Sequence, residues 1–160
     1  MKQHFIYIVT FLFILSGCTS SKPTEVKSPD GQIRLAFVLD DNHRMSYRVD
    51  VNDTAFIASS SLGFLAKDGV NLSEGFRIVG TDFLSADENW TQPWGENKTI
   101  RNHYNEMAVH LADTTNTKLV LRFRVFDDGI GFRYEYEVAG ADSILITDEL
   151  TAFNIAQDGT

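Results

Sequence analysis

Hydrophobic and polar residues alternate with a period of two along most of the chain after residue 31. Two early stretches place apolar residues at every second position: Ile33, Leu35 and Phe37, then Tyr47, Val49 and Val51. Side chains alternate between the two faces of a β-strand, so this period predicts strands rather than helices. Residues 40–43 between them are rich in Asp and Asn, which favour turns. The pattern therefore predicts an antiparallel hairpin.

The clearest strands are predicted after residue 105. Residues 106–111, 118–126 and 131–138 alternate in the same way, and turn-like residues separate them at 113–116 and 127–129. The apolar residues of the second and third of these strands each share one face: Leu119, Leu121, Phe123 and Val125, then Phe132, Tyr134, Tyr136 and Val138. This order predicts a meander. Two weaker strands are predicted within residues 55–65, which three serines interrupt, and around residues 76–79.

The chain lacks two sequence patterns that would indicate other fold classes. After Gly31 no long stretch has the period of an amphipathic helix, and no glycine-rich phosphate loop follows a predicted strand. Two sheets of short antiparallel strands can bury their apolar faces about 10 Å apart and leave the charged faces in water. We therefore predict an all-β fold, an antiparallel β-sandwich.

The first residues have the pattern of a secretion signal. Lys2 precedes a mostly apolar stretch at residues 5–15, and Leu-Ser-Gly-Cys follows at 15–18. The apolar stretch is too short for a stable membrane span, and the small residues before Cys18 resemble the cleavage site of bacterial lipoprotein precursors. We expect a signal peptide at residues 1–17, acylation of Cys18, a flexible tether at 18–29 and a folded domain at 30–160. The protein would then be lipid-anchored in the bacterial periplasm or at the cell surface.

The charge and cysteine counts exclude several classes of function. The chain has 14 Lys and Arg against 22 Asp and Glu, a net charge of −8. Nucleic-acid binding requires a basic surface, so we expect no nucleic-acid partner and membrane contact only through the lipid anchor. Cys18 is the single cysteine, which excludes an internal disulfide and a cysteine-based metal site.

Residues 90–106 concentrate side chains that commonly face sugars. Both tryptophans of the chain lie there, with Arg, Asn, His, Tyr and carboxylates nearby. Indole rings stack on the apolar faces of a pyranose, while the polar groups bind its hydroxyls. An equally weighted alternative is that the two tryptophans fix a loop against the core.

Carboxylates near this aromatic cluster are candidates for glycosidase chemistry, which uses two carboxylates several Å apart. The candidates are Asp87, Glu88, Glu96 and Glu106. The favoured interpretation is that Asp87 and Glu88 are solvated loop acids and that Glu106 begins a strand. His103 is more often structural than a ligand or a base, and residues 127–129 indicate a turn rather than a calcium loop.

Three segments carry a resemblance to a known family. Residues 90–96 have the motif Trp-x-Gln-Pro-Trp-Gly-Glu, residues 101–106 read Arg-Asn-His-Tyr-Asn-Glu, and residues 123–134 contain Asp-Asp-Gly-Ile-Gly-Phe-Arg-Tyr. Together they look like the amino-terminal domain of glycoside hydrolase family 97, which includes α-glucosidases and α-galactosidases of Bacteroides-type bacteria. The similarity extends over residues 28–160.

The resemblance implies a β-sandwich similar to galactose mutarotase, packed on a (β/α)8 barrel that carries the catalytic carboxylates. It also implies an active-site calcium ion, with one carboxylate ligand from the amino-terminal domain beyond residue 160. On this basis the chain holds an incomplete sandwich, no catalytic residue and no metal ligand, and we expect it to be inactive alone. We expect Trp94, Glu96, Arg101 and Asn102 to contact an α-linked saccharide in the full-length enzyme.

Two other functions remain open from the sequence. The chain could be a non-catalytic carbohydrate-binding lipoprotein whose aromatic residues capture a saccharide. It could also be an interaction module whose tryptophan-rich segment only docks against the barrel.

Overall fold

The computed structural model describes residues 24–156, except 116, 139 and 141. The signal peptide predicted at residues 1–17, Cys18, the tether up to residue 23 and residues 157–160 lie outside the described residues. The described strands are β1 (Thr24–Lys27), β2 (Ile33–Leu39), β3 (Met45–Val51), β4 (Thr54–Ser61), β5 (Phe64–Ala66), β6 (Arg77–Thr91), β7 (Thr99–Ala112), β8 (Lys118–Phe126), β9 (Ile130–Glu137) and β10 (Ile146–Glu149). A 3-10 helix at Lys67–Gly69 is the one helical element among the described residues. No helix in this part of the chain is long and apolar enough to cross a membrane.

The strands form two four-stranded antiparallel sheets and one small sheet. The first sheet has the order β1-β2-β3-β4, the second β6-β7-β8-β9, and β5 pairs with β10. Strands β2 and β3 pair from Ile33↔Val51 to Leu39↔Met45, which confirms the hairpin predicted from the alternating pattern. The order β7-β8-β9 confirms the predicted meander.

The core lies between the two large sheets, where β1 faces β7 and β2 faces β8. The predicted apolar face of β8 is fully buried, and the Phe123 ring lies 6.1 Å from Phe37 and 5.8 Å from Phe132. Large side chains that are almost fully buried come from both sheets: Leu35, Phe37, Tyr47, Met107, Leu121 and Phe123. Burial of these faces is the main favourable contribution to folding. The predicted antiparallel β-sandwich is confirmed.

The folded domain begins earlier than the sequence predicts. Strand β1 lies within the segment 18–29, for which the composition predicts a flexible tether, and it pairs with β2 through Val26↔Leu35. Val26 is buried against the core because β1 covers part of β7. The tether prediction is therefore wrong for residues 24–27, since one buried apolar residue among polar neighbours gives little local signal.

The two flanks of the sandwich differ in how they are covered. Residues 150–156 run beside β4, where Ala58 donates a backbone hydrogen bond to Asn154. From this segment Phe153 reaches the rings of Tyr47 and Phe132, 6.2 and 6.0 Å away. On the opposite flank β6 is the edge strand of its sheet, and its side chains are mostly exposed on both faces. The carboxyl end of β6, on this exposed flank, enters the aromatic cluster at residues 90–106.

Candidate functional site

Strands β6 and β7 continue beyond the rest of their sheet. They pair as far as Thr91↔Thr99, whereas β7 pairs with β8 only from Tyr104 onward. Residues 87–103, here called the projecting hairpin, therefore form a two-stranded ribbon with which no other described strand pairs. It contains most of the segment that the sequence marks as sugar-facing.

The tip of the projecting hairpin is closed by one glutamine and one glycine. The Gln92 side chain donates a 2.8 Å hydrogen bond from Nε2 to the carbonyl oxygen of Asn97, across the turn. Gly95 has φ of +119°, and a Cβ there would lie 2.5 Å from Gln92 Nε2. A glycine is favoured because both the left-handed backbone and the neighbouring amide disfavour a side chain. This turn leaves Trp94 84% exposed at the tip.

The two arms of the projecting hairpin are joined by side-chain pairs on both faces. Arg101 donates from Nε and Nη2 to the two carboxylate oxygens of Asp87, both at 2.8 Å. Asn102 donates from Nδ2 to Glu88 Oε1 at 2.7 Å. Successive strand residues point to opposite faces, so the two pairs lie on opposite sides of the ribbon. Hydrogen bonds from Arg101 hold the pKa of Asp87 below its ordinary value, which makes Asp87 a poor general acid.

The structure places the four predicted pocket residues in the projecting hairpin but not on one face. Trp94 and Glu96 lie in the exposed turn, and Arg101 and Asn102 lie on opposite faces of β7. The interpretation of Asp87 and Glu88 as loop acids is wrong, because both lie in β6. One sequence signal could have predicted that these acids lie in a strand. Asp87 and Glu88 precede the Pro-Trp-Gly turn by about as many residues as Arg101 and Asn102 follow it, as expected for cross-strand partners.

Glu106 is the residue whose role the sequence misses most clearly. The sequence predicts that it begins a strand, but it lies inside β7, is only 4% exposed as a side chain, and pairs with Arg122 and Arg124. The Arg124 guanidinium also lies 4.4 Å from the centroid of the Tyr104 ring, a cation–π distance. These contacts fix β7 to β8 at the base of the projecting hairpin.

The pairs around Glu106 extend into a line of alternating charges across three strands. It runs Arg124, Glu106, Arg122, Glu135, Arg133, and is here called the charge chain. Hydrogen bonds from Arg122, opposed by burial, lower the pKa of Glu135 to about 2. Burial raises the pKa of Glu106, but hydrogen bonds from Arg124 and Arg122 outweigh it and leave the pKa below its ordinary value. Both carboxylates are ionised at neutral pH.

The charge chain predicts a loss of stability in acid. A carboxyl group with a folded pKa below its unfolded value stabilises the fold above the unfolded pKa, and this contribution is lost as pH falls toward the folded pKa. For Glu135 that window extends from about 4.5 down to about 2. Because its side chain is 35% exposed, we expect a loss of about 1 kcal/mol over this window, after allowing for solvent screening.

Urea unfolding at pH 7, 4.5 and 3 measures this effect, with Glu135→Gln as the comparison. The variant should show a shallower decrease of unfolding free energy below pH 4.5. Equal pH dependence in the two chains would contradict the assignment.

The histidines and acidic residues of the described region do not form a metal site. His103 Nδ1 is buried without a hydrogen bond, 3.6 Å from Asp127 Oδ2, and His110 Nε2 lies 2.8 Å from Asp82 Oδ2. Across residues 24–156, apart from the three gaps, no three His, Cys, Asp or Glu side chains lie close enough to share a metal ion. Residues 127–129 form the predicted turn, closed by a hydrogen bond from Phe126 N to Gly129 O.

Cavities of the described region occur outside the projecting hairpin. Four cavities in the described region, of about 180 to 470 Å³, are lined by residues outside residues 87–103.

Comparisons with known proteins agree with this architecture. The sequence profile described as Glycosyl-hydrolase 97 N-terminal matches residues 26–160. A retaining alpha-galactosidase of Bacteroides thetaiotaomicron is 28% identical over 130 residues, covering 79% of this chain and 19% of that protein. A Glycoside Hydrolase Family 97 enzyme from Pseudoalteromonas sp. strain K8, solved with acarbose, gives a TM-score of 0.78 at 35% identity over 83% of this chain and 20% of that one. A beta-arabinopyranosidase structure gives 0.76 at 26% identity, over 82% and 21%. The chain spans about a fifth of the length of these relatives.

Proposed function

The chain belongs to glycoside hydrolase family 97 and matches its amino-terminal domain, and from this we propose that it forms one wall of the sugar pocket of an exo-acting α-glycosidase. The enzyme would hydrolyse α-glucosides or α-galactosides, and its catalytic residues would lie in a longer polypeptide. The chain itself would hydrolyse nothing.

The exposed Trp94 at the tip of the projecting hairpin is the observation that carries this proposal. A tryptophan that is 84% exposed contributes little to the stability of the fold, whereas it offers a flat apolar surface to a ligand. A sugar ring stacked on one side of the indole would need an opposing wall, which we propose the longer polypeptide supplies.

The polar pocket residues are held in place while keeping free hydrogen-bonding atoms. Arg101 uses Nε and Nη2 on Asp87, and Nη1 has no hydrogen-bond partner among the described residues. Asn102 donates to Glu88 through Nδ2, which leaves its Oδ1 as an acceptor. Glu96 is exposed in the turn. A side chain fixed by one partner loses less conformational entropy when it binds a hydroxyl.

The edge strand β6 supplies the surface on which we propose the barrel docks. Its large apolar side chains are 41 to 62% exposed at Ile78, Val79, Phe83 and Leu84. Exposed large apolar side chains and an unpaired strand edge mark an interaction site. The relatives are about five times as long as the aligned part of this chain, so a following domain of the same polypeptide is the proposed occupant.

The calcium ion implied by the family does not fit the described residues. The hairpin acids Asp87 and Glu88 are engaged by Arg101 and Asn102, and no third acid of the described region joins them in a cluster. We propose that its ligands come from the longer polypeptide, and we assign it no role in this domain.

We also propose anchoring through acylated Cys18, which would place the enzyme in the bacterial periplasm or at the cell surface. The signal pattern at residues 1–17 supports this location. Labelled palmitate should be incorporated into the full-length protein in cells and should be absent from Cys18→Ala. Equal labelling of the two proteins would refute acylation at this residue.

Kinetics of the full-length enzyme test the pocket assignment. Trp94→Ala and Arg101→Ala are each expected to lower kcat/KM for an aryl α-glycoside by about tenfold or more, because each removes a contact to the sugar. Glu137→Gln is the control, since Glu137 pairs with Lys118 at the exposed far end of the sheet. Unchanged kcat and KM in both hairpin variants would refute the assignment.

Calorimetry of the 160-residue chain distinguishes this proposal from a free-standing carbohydrate-binding protein. With one wall only, malto- and galacto-oligosaccharides are expected to bind too weakly to detect. Saturable binding by the chain alone would favour the carbohydrate-binding alternative instead.

A further inference from the structure

The outer face of strands β8 and β9 carries a group of arginines that lies outside the projecting hairpin. Where β8 and β9 pair, Arg122 lies directly opposite Arg133, and Arg124 lies opposite Gly131. Like charges in directly opposed positions destabilise a sheet unless other charges compensate them. Glu106 and Glu135 provide that compensation by bridging neighbouring arginines in the charge chain.

The compensation is incomplete at both ends of the charge chain. Three arginines share two carboxylates, which leaves one positive charge in excess. Arg124 donates only through Nε, so its two terminal nitrogens have no hydrogen-bond acceptor among the described residues. Arg133 contacts Glu135 through Nε and Nη2, which leaves Nη1 without a partner there.

A cavity lies between these two ends of the charge chain. It has a volume of about 180 Å³ and is lined by Arg122, Arg124, Phe126, Gly131, Phe132 and Arg133. All three arginines line it and neither glutamate does. Gly131 forms an open floor, because a Cβ added there would meet no atom within 4 Å.

We propose that this cavity binds an oxyanion, a carboxylate or sulfate group of a ligand, between Arg124 and Arg133. The planar guanidinium groups offer parallel N–H donors that match the oxygens of such a group. The bound anion would neutralise the excess positive charge and would replace water as the acceptor at both ends of the charge chain. The carboxylates of Glu106 and Glu135 hold the arginines in position, so little rearrangement is required.

Amide NMR of the 160-residue chain, titrated with sodium sulfate, tests the site against sodium chloride at equal ionic strength. Saturable shifts are expected at the Gly131 amide and at the Nε–H groups of Arg124 and Arg133. A parallel titration with sodium acetate distinguishes the two ligand types. Tighter acetate binding indicates a carboxylate ligand, and tighter sulfate binding indicates a sulfated one.

Two variants and one control complete the test. Arg133→Gln should weaken sulfate binding about tenfold, because it removes one charged donor. Gly131→Val should abolish binding by filling the cavity while all three arginines remain. Arg77→Gln removes a positive charge from the edge strand of the same sheet, outside the cavity, and should leave binding unchanged. Shifts that match those with chloride, or wild-type binding in both variants, would overturn the proposal.

Discussion

Replacement of Gly63 by Ala is expected to lower the free energy of unfolding by about 3 kcal/mol, the largest stability effect that we predict from one methyl group. Gly63 joins β4 to β5 with φ of +129°, a region that L side chains rarely adopt. An added Cβ would lie 2.5 Å from Ser73 Cα and 2.6 Å from Leu72 O, so the backbone itself would have to move.

Hydrogen bonds on both sides of Gly63 hold its backbone in place. Its N–H donates a 2.9 Å hydrogen bond to the Tyr134 hydroxyl, which lies 2.6 Å from Thr151 Oγ1, and its carbonyl oxygen accepts a hydrogen bond from Leu150 N. Gly63 thus links the β4–β5 connection to strand β9 and to residues 150–156, which cover the flank. A shift of the Gly63 backbone would disturb both of these contacts.

Gly75→Ala is the matched control, because Gly75 has φ of +82° but open space around the Cβ position. It isolates the cost of backbone conformation, about 1 kcal/mol. Urea unfolding followed by circular dichroism measures both variants. Equal destabilisation by the two substitutions would show that the contact with Ser73 and Leu72 is relieved without cost.

Glu106→Gln is expected to lower the free energy of unfolding by about 2 kcal/mol, because it removes a buried negative charge that pairs with two arginines. The substitution keeps the size of the side chain but removes the charge that Arg122 and Arg124 share. The effect is smaller than for a fully buried ion pair, because the Arg122 and Arg124 side chains are 25% and 38% exposed. Solvent screens such partly exposed partners.

The same substitution should also loosen the base of the projecting hairpin. Amide hydrogen exchange at residues 99–103 is expected to accelerate in Glu106→Gln more than in the core strand β2. Glu137→Gln is the control, since the Glu137 side chain is 72% exposed. Exposed pairs of this kind contribute less than about 1 kcal/mol. Indistinguishable unfolding curves for the two variants would show that Glu106 does not fix β7 to β8.

The candidate site shows which kinds of residue the sequence can place. The aromatic cluster at residues 90–106 follows from composition alone, but the exposure of Trp94 is known only from the structure. The separation of Arg101 and Asn102 onto opposite faces follows once β7 is known to be a strand there. The sequence does not indicate that strand, because residues 87–91 and 99–103 lie beyond the core and have no apolar period.

The position of Glu106 illustrates a different limit. A lone glutamate beside an apolar run is consistent with a strand end or a strand interior. Its burial depends on β8 bringing Arg122 and Arg124 opposite to it, and that pairing is set by strand register. The register of the neighbouring pair includes a bulge between Ile78 and Gly80, which no local pattern in the sequence marks.

The all-β class, the β2–β3 hairpin, the meander from β7 to β9 and the family can all be predicted from the amino-acid sequence. Those features depend on local alternation and short motifs, which fix the face of each residue within its own strand. The folded structure was needed to show that β1 belongs to the sandwich, that β6 and β7 extend into a projecting hairpin, and that the charge chain crosses three strands. These features depend on which residues of distant strands lie opposite each other, and register over such separations is set by the packing of the whole domain.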